Sequence, residues 1–274
     1  MSLDLCSVKF EQQEDLMSAN PYYRNRISFS DVVVVSSNKV LVCGFGGNTV
    51  HLMDSIASHE VAAVRMPDEP RSICLINVGM AAVSLNGKKV QFIMIGRDTL
   101  TLNHVLEVGK DIYGITTLYN NLVTSSIYPP GVEMMTMEGK VVCTIDNTMA
   151  GRTLFKRPMY LSNSKDGYIY VSDSENNTVT KLDNRLNVLR NHTDPSLWNI
   201  GGLLSFSRDQ LLVCCLNKNR IVLLNTLTGS TTVLLDAQDG LGKPYALAYC
   251  HTQRKLFVSS KKFLSTTILT YKIV

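Results

Sequence analysis

The 274-residue sequence contains no run of eighteen apolar residues, which excludes a transmembrane helix. It has no CxxC pair. Its seven cysteines (Cys6, Cys43, Cys74, Cys143, Cys214, Cys215 and Cys250) are odd in number and lie mostly in strand-like apolar runs. That pattern argues against a zinc site and for buried free thiols in a reducing compartment. Residues 1–20 carry Asp4, Glu11, Glu14 and Asp15 and lack a basic segment followed by an apolar core, so they are not expected to act as a signal peptide. The expectation is a cytoplasmic protein, or a domain of a longer chain. No G-x-S-x-G elbow is present. Gly44-Phe45-Gly46-Gly47 is glycine-rich, but it has no lysine and no helix after it, so it is not a phosphate loop. The five histidines (His51, His59, His104, His192, His251) are scattered without ligand spacing. No metal and no cofactor is expected.

What the sequence does have is repetition. Residues 166–183, DGYIYVSDSENNTVTKLD, read as a turn, a strand, a tight polar loop and a second strand. The first strand ends in the small residue Ser172. Short apolar strands ending in a small residue recur at Cys43, Ser84, Ser125, Cys214 and Ser259, in steps of 41, 41, 47, 42 and 45 residues. A β-branched residue opens a second strand six to nine positions after each anchor, at Val50, Val90, Val132, Val179, Ile221 and Ile268. Six units of this period, each holding several short strands, are the signature of a propeller.

The sequence therefore predicts an all-β fold, a six-bladed β-propeller of four-stranded antiparallel blades, with residues 1–274 as a single domain. The blades fall near residues 27–69, 70–111, 112–157, 158–199, 200–243 and 244–274. The last unit has room for only three strands. An open ring would leave sheet edges unpaired, so residues 3–10 (LDLCSVKF), which alternate, are expected to supply the outer strand of the last blade by pairing with residues 267–273. The run Asp31-Val32-Val33-Val34-Val35 fits an inner strand buried on both faces. Tyr128-Pro129-Pro130-Gly131 reads as a rigid loop outside any ladder, and the nearby Met134, Met135 and Met137 as core filling.

Charge is uneven. Residues 1–180 hold 15 Lys/Arg and 18 Asp/Glu, whereas residues 181–274 hold 12 and 5, a local excess of seven positive charges. In a four-strand meander, the loop leading into the inner strand and the loop between the second and third strands open on the same side. That side is expected to carry Arg71, Lys88, Lys89, Lys110, Tyr128, Lys156, Arg157, Trp198, Lys218, Arg220, Lys243, Tyr245, Lys261 and Lys262. Arginine and lysine can hold phosphates while aromatics stack on bases. Tyr, Trp and Arg also anchor protein interfaces. Tyr113, Tyr160 and Tyr245 either face this surface or plug gaps between blades.

One unit carries a family resemblance. Pro158-Met159-Tyr160-Leu161 followed by Asp166-Gly167-Tyr168-Ile169-Tyr170-Val171-Ser172-Asp173-Ser174-Glu175-Asn176-Asn177-Thr178-Val179 resembles the NHL repeat, and Lys243-Pro244-Tyr245-Ala246-Leu247 echoes its opening. The chain is similar to the divergent C-terminal propellers of tripartite-motif (RING, B-box, coiled-coil) proteins. The resemblance implies a non-catalytic interaction module, first for a protein partner, including substrate recognition for a ubiquitin ligase, and second for RNA. It also implies that any oligomerisation lies outside this chain. No RING or B-box pattern is present here. A third reading is a calcium-dependent lactonase-like enzyme, which would need carboxylates and asparagines such as Asp31, Asp173 and Asn217 to converge on the central channel. The expectation from these residues is that the chain is not an enzyme.

Overall fold

The computed structural model describes residues 4–16, 28–148, 151, 153–262 and 265–274; the side chains at 261, 262, 265 and 266 fall outside that description. The middle strands of the blades are short, largely apolar runs buried on both faces, and sheets stacked side by side cover both faces at once. Among the described residues there are six four-stranded antiparallel sheets. Blade one is Ser28–Val34, Lys39–Phe45, Thr49–Asp54 and His59–Arg65, and blade two is Pro70–Asn77, Met80–Leu85, Lys89–Ile95 and Leu100–Glu107. Blade three is Ile112–Leu118, Asn121–Ile127, Pro130–Thr136 and Val141–Asp146, and blade four is Pro158–Asn163, Ile169–Asp173, Thr178–Leu182 and Val188–Thr193. Blade five is Ile200–Ser207, Gln210–Cys215, Arg220–Asn225 and Thr231–Leu235. Blade six joins Lys243–Cys250, Lys255–Lys262 and Ser265–Ile273 to the N-terminal strand Phe10–Gln12. The first strand of every blade contacts the first strand of the next, and blade six returns to blade one.

Closure by the N terminus is as expected, but its register differs from the expected residues 3–10. Leu5–Ser7 is a single 3-10 turn, capped by the Asp4 carboxylate accepting from the Cys6 amide at 3.1 Å. Pairing starts at Lys9 with Val274, runs through Phe10–Gln12 against Tyr271–Ile273, and ends with Leu16 bridging Ile268. Leu5 is buried instead with Leu235, Leu241, Tyr271 and Ile273. The period-two pattern of residues 3–10 thus reports two separate burials, one on a turn and one on a strand.

Between-blade packing makes up the core. One apolar cluster lies in each gap, for example Leu118, Val132, Ile169, Val171 and Leu182 between blades three and four. Met134 and Met135 are buried and Met137 packs beside them, as core filling. Val33 and Val34, expected to be buried on both faces, are only half-buried because the inner strands line an axial channel. Pro130 and Gly131 belong to a ladder, opposite Ile127 and Ser126, so the expected loop is shorter than residues 128–131. No helix among the described residues is long and apolar enough to cross a membrane.

A feature not visible in the sequence recurs in all six blades. Each inner strand slips register near its start, at Phe29/Asp31, Pro70/Ser72, Ile112/Ile115, Pro158/Tyr160, Ile200/Leu203 and Pro244/Ala246. Such bulges re-aim the extra residue out of the ladder. The small anchor residues complete them: the Ser84, Ser125, Ser172 and Ser259 hydroxyls accept from the amides of Ser72, Gly114, Tyr160 and Ala246 at 2.9–3.2 Å. A larger side chain at the anchor would fill the space the bulge occupies. Gly114 is required for a related reason: a Cβ there would sit 2.2 Å from the Met159 carbonyl of the next blade.

Candidate functional site

The six bulges all lie on one face, where the chain enters the inner strands, and the residues they turn out include Ser30, Arg71, Tyr113, Met159 and Tyr245. This bulge face is the one expected to carry the basic and aromatic loops. At its centre the axial channel is closed by Tyr160. Its ring crosses the axis from blade four, and its hydroxyl donates to the Ser30 carbonyl of blade one at 3.1 Å. Tyr113 meets it edge-on, with ring centroids 6.0 Å apart. Above them is a cavity of about 200 Å³ lined by Ser28, Phe29, Ser30, Phe45, Tyr113, Tyr160 and Tyr245. Of the three tyrosines, Tyr160 is buried across the axis, while Tyr113 and Tyr245 are half-buried and line the cavity. Phe45, 46% exposed, forms its rim.

Two of the cations are held in place by carboxylates and carbonyls. The Arg71 guanidinium donates to Asp111 Oδ1 at 2.9 Å, the Ile112 carbonyl at 2.8 Å and Asn86 Oδ1 at 2.6 Å, and lies 5.5 Å from the centre of the Tyr113 ring. Lys110 pairs with the buried Glu133 at 3.3 Å. Arg157 differs. Its main chain is fixed, but its exposed guanidinium has no hydrogen bond or ion pair among the described residues. Burial raises the Tyr113 hydroxyl above its ordinary pKa, opposed first by the Arg71 charge and then by that of Arg157.

Asp173 sets that position. It is fully buried; Oδ2 accepts from the amides of Lys156 (2.6 Å) and Arg157 (3.1 Å), and Oδ1 from those of Glu175 (3.1 Å) and Asn176 (2.8 Å). One carboxylate therefore ties the strand leading into blade four to the 174–177 loop. Both oxygens are engaged, so Asp173 does not converge with Asp31 and Asn217 as the lactonase reading requires. Asp31 is half-buried in the channel, accepting from the Ser72 hydroxyl at 2.6 Å and the Ile73 amide at 3.0 Å. Burial raises its pKa to about 6.

The remaining predicted residues surround this centre. Lys88, Lys156, Lys218, Arg220 and Lys243 are exposed, and Lys89 is half-buried. Tyr128 is 82% exposed and Trp198 53% exposed. The Lys261 and Lys262 side chains lie outside the described residues; their main chain is paired, with Lys261 opposite Lys243. The same face also carries Asp68, Glu69, Asp111, Glu175, Asp194, Asp236 and Asp239 in its loops. Its charge is therefore mixed rather than uniformly basic. Phe29 and Phe45 were not among the sequence candidates.

One further constellation has the order nucleophile, imidazole, carboxylate: Thr49 Oγ1 lies 2.7 Å from His51 Nε2, and His51 Nδ1 lies 2.9 Å from Glu60 Oε2. Activated hydroxyls use this order. Here Thr49 and His51 are both buried, with the His51 ring edge-on to Phe29, so the hydroxyl is closed off within blade one.

No family model matches the chain, and no curated protein matches it. Solved structures do. A streptogramin B lyase shares 12% identity at a TM-score of 0.69, with 97% of this chain and 98% of that one covered. A catalytically inactive virginiamycin B lyase from Staphylococcus aureus with quinupristin shares 13% at 0.67, covering 97% and 100%. The WD40 β-propeller domain of Doa1 shares 11% at 0.65, covering 97% and 97%. These likenesses show a β-propeller fold. They also overturn the expectation that the chain is not an enzyme, because the same fold serves lyases as well as a WD40 domain.

Proposed function

We propose that the bulge face is a docking site for a protein segment that places an apolar side chain in the aromatic cavity and a neighbouring carboxylate against Arg157. The observation that carries this reading is the aromatic cavity itself, lined by Phe29, Phe45, Tyr113, Tyr160 and Tyr245, with the exposed Arg157 three residues before Tyr160 on the loop entering blade four. Aromatic pockets beside arginine are the usual centre of a protein interface, and outer loops supply complementarity rather than energy. Trp198, Tyr128, Lys156, Lys218, Arg220 and Lys243 belong to that outer ring, with Arg71, Lys88, Lys89 and Lys110 on the blade two and three side. RNA is the second reading. The acidic loops interleaved on the face disfavour it, since a phosphate backbone needs a continuous positive track. We further infer that the chain is an NHL-type propeller of the tripartite-motif kind acting in the cytoplasm. The motif of blade four and the amide-binding role of Asp173 support this.

Panning a displayed random-peptide library against the full chain tests the reading. Enriched sequences are expected to place a bulky apolar residue next to Asp or Glu, and to lose binding to Tyr245→Ala and to Arg157→Glu. Peptides that bind both variants as well as the original chain would refute it. Preferential capture of single-stranded RNA, with affinity falling steeply with salt, would replace it with the RNA reading.

A further inference from the structure

The inner strands end on the opposite face, and there a second and larger cavity opens. Its volume is about 650 Å³, within the range that holds a small organic ligand. Blades four, five and six contribute most of it: residues 162–166, residues 204–208, and Tyr249 with His251. It shares Ser162 and Asn163 with the lining of the axial channel, which Tyr160 closes at the far end.

One wall is aromatic. The rings of Phe206 and Tyr249 are 4.7 Å apart, and His251 stands edge-on to Tyr249 at 4.8 Å. Phe206 and Tyr249 are half-buried and His251 is exposed, so these rings top the core between blades five and six and leave surface toward the cavity. The other wall is cationic. Lys165 is exposed and has no hydrogen bond or ion pair among the described residues. Partial burial, and then the Lys165 charge, hold the His251 pKa below the ordinary value, so the imidazole presents a neutral ring. Arg208 is 83% exposed on its side chain and has one long contact, 3.8 Å, to Asp166. Between the walls, the Asn163 carboxamide oxygen accepts from the Thr116 hydroxyl at 3.3 Å, and its NH2 is unbonded among the described residues.

We propose that this cavity binds a small molecule made of a planar ring bearing one anionic group, a phosphate or a carboxylate. The ring lies against Tyr249 and Phe206, and the anion is held by Lys165 with Arg208. Two cations against one carboxylate leave this wall net positive, which favours an anionic ligand. The aromatic wall selects a flat partner, since stacking rewards any π face. This site is on the opposite face from the protein-docking cavity and does not depend on it.

Calorimetric titration of the full chain with a nucleoside monophosphate, a naphthoate, the uncharged nucleoside and inorganic phosphate tests the proposal. Binding is expected for one or both of the first two, each tighter than its ring or its anion alone, and the tighter of the two identifies the anion as phosphate or carboxylate. Lys165→Glu should weaken it by about tenfold or more, the effect of one charge-assisted contact. Tyr249→Leu should do likewise, and Arg157→Glu on the other face should leave it unchanged. Lys165 is exposed, so its variant folds even where Tyr249→Leu does not. Failure of both ring-bearing anions to bind at millimolar concentration would overturn the proposal, as would binding indifferent to Lys165→Glu.

Discussion

The Ser84 hydroxyl donates to the main-chain carbonyl of Tyr113 at 2.6 Å, joining the second strand of blade two to the inner strand of blade three. It also accepts from the Ser72 amide in its own blade at 3.1 Å. Ser125 does the same one blade on, accepting from Gly114 and donating to the Met159 carbonyl at 3.1 Å. Tyr113 and Met159 are residues that the bulges turn out of their ladders. The small repeated anchors therefore fasten both the blades and the mouth of the candidate site.

Ser84→Ala leaves a buried amide and a buried carbonyl without partners. The expected loss is about 1–3 kcal/mol in denaturant unfolding, with the same sign for Ser125→Ala.

At the closure, Leu5→Ala should cost about 2–5 kcal/mol, as for any fully packed core leucine, although it lies in a single turn near the chain start. Cys6→Ala, one residue on and exposed, should stay within about 0.5 kcal/mol. Equal and small effects in urea unfolding would mean that the N-terminal segment does not fasten the ring.

Two titrating groups, the buried His192 and the half-buried Asp31, oppose each other with pH. His192 is buried with both ring nitrogens unbonded among the described residues, and burial, then Arg190 and Lys181, lower its pKa to about 4 from an ordinary 6.5. The unfolded chain binds that proton first, so stability is lost as pH falls from about 6.5 to 4. Burial raises Asp31 from 3.8 to about 6, so its contribution is present at low pH and lost as pH rises through that window. Each is worth at most about 3 kcal/mol. The two largely cancel in the original chain. Asp31→Asn should leave stability that rises with pH between 4 and 6.5, and His192→Leu stability that falls, as read by melting temperature across the window.

Asp173→Asn keeps the shape but replaces one acceptor oxygen with a donor facing amides. The expected loss is about 3 kcal/mol, accompanied by faster hydrogen exchange at the Lys156, Arg157, Glu175 and Asn176 amides. An unchanged exchange pattern would contradict its role in positioning Arg157.

The six units were legible because the anchor position tolerates only small residues, so it marks the period even where other letters have drifted. The central hairpin of blade four was legible for the same reason, and its Asp173 binds the amides of two separate segments. The bulges were not legible, because they arise where neighbouring inner strands converge, and no local pattern announces them. Residues 3–10 misled because alternation cannot distinguish a strand from a turn followed by a strand. The engagement of Arg71 and Lys110 was not legible, because Asp111 and Glu133, which hold them, are distant from them in the chain or on another strand. The cavity under Lys165 was missed because its walls come from three blades.

The most direct test of the docking account is a charge reversal. A peptide that binds the bulge face through an acidic residue should lose at least about tenfold in affinity for Arg157→Glu, and the same peptide with that acid replaced by lysine should recover much of it. Recovery confined to the reversed pair places the partner's carboxylate on Arg157. Equal weakening of both peptides, or no weakening of either, would contradict the account.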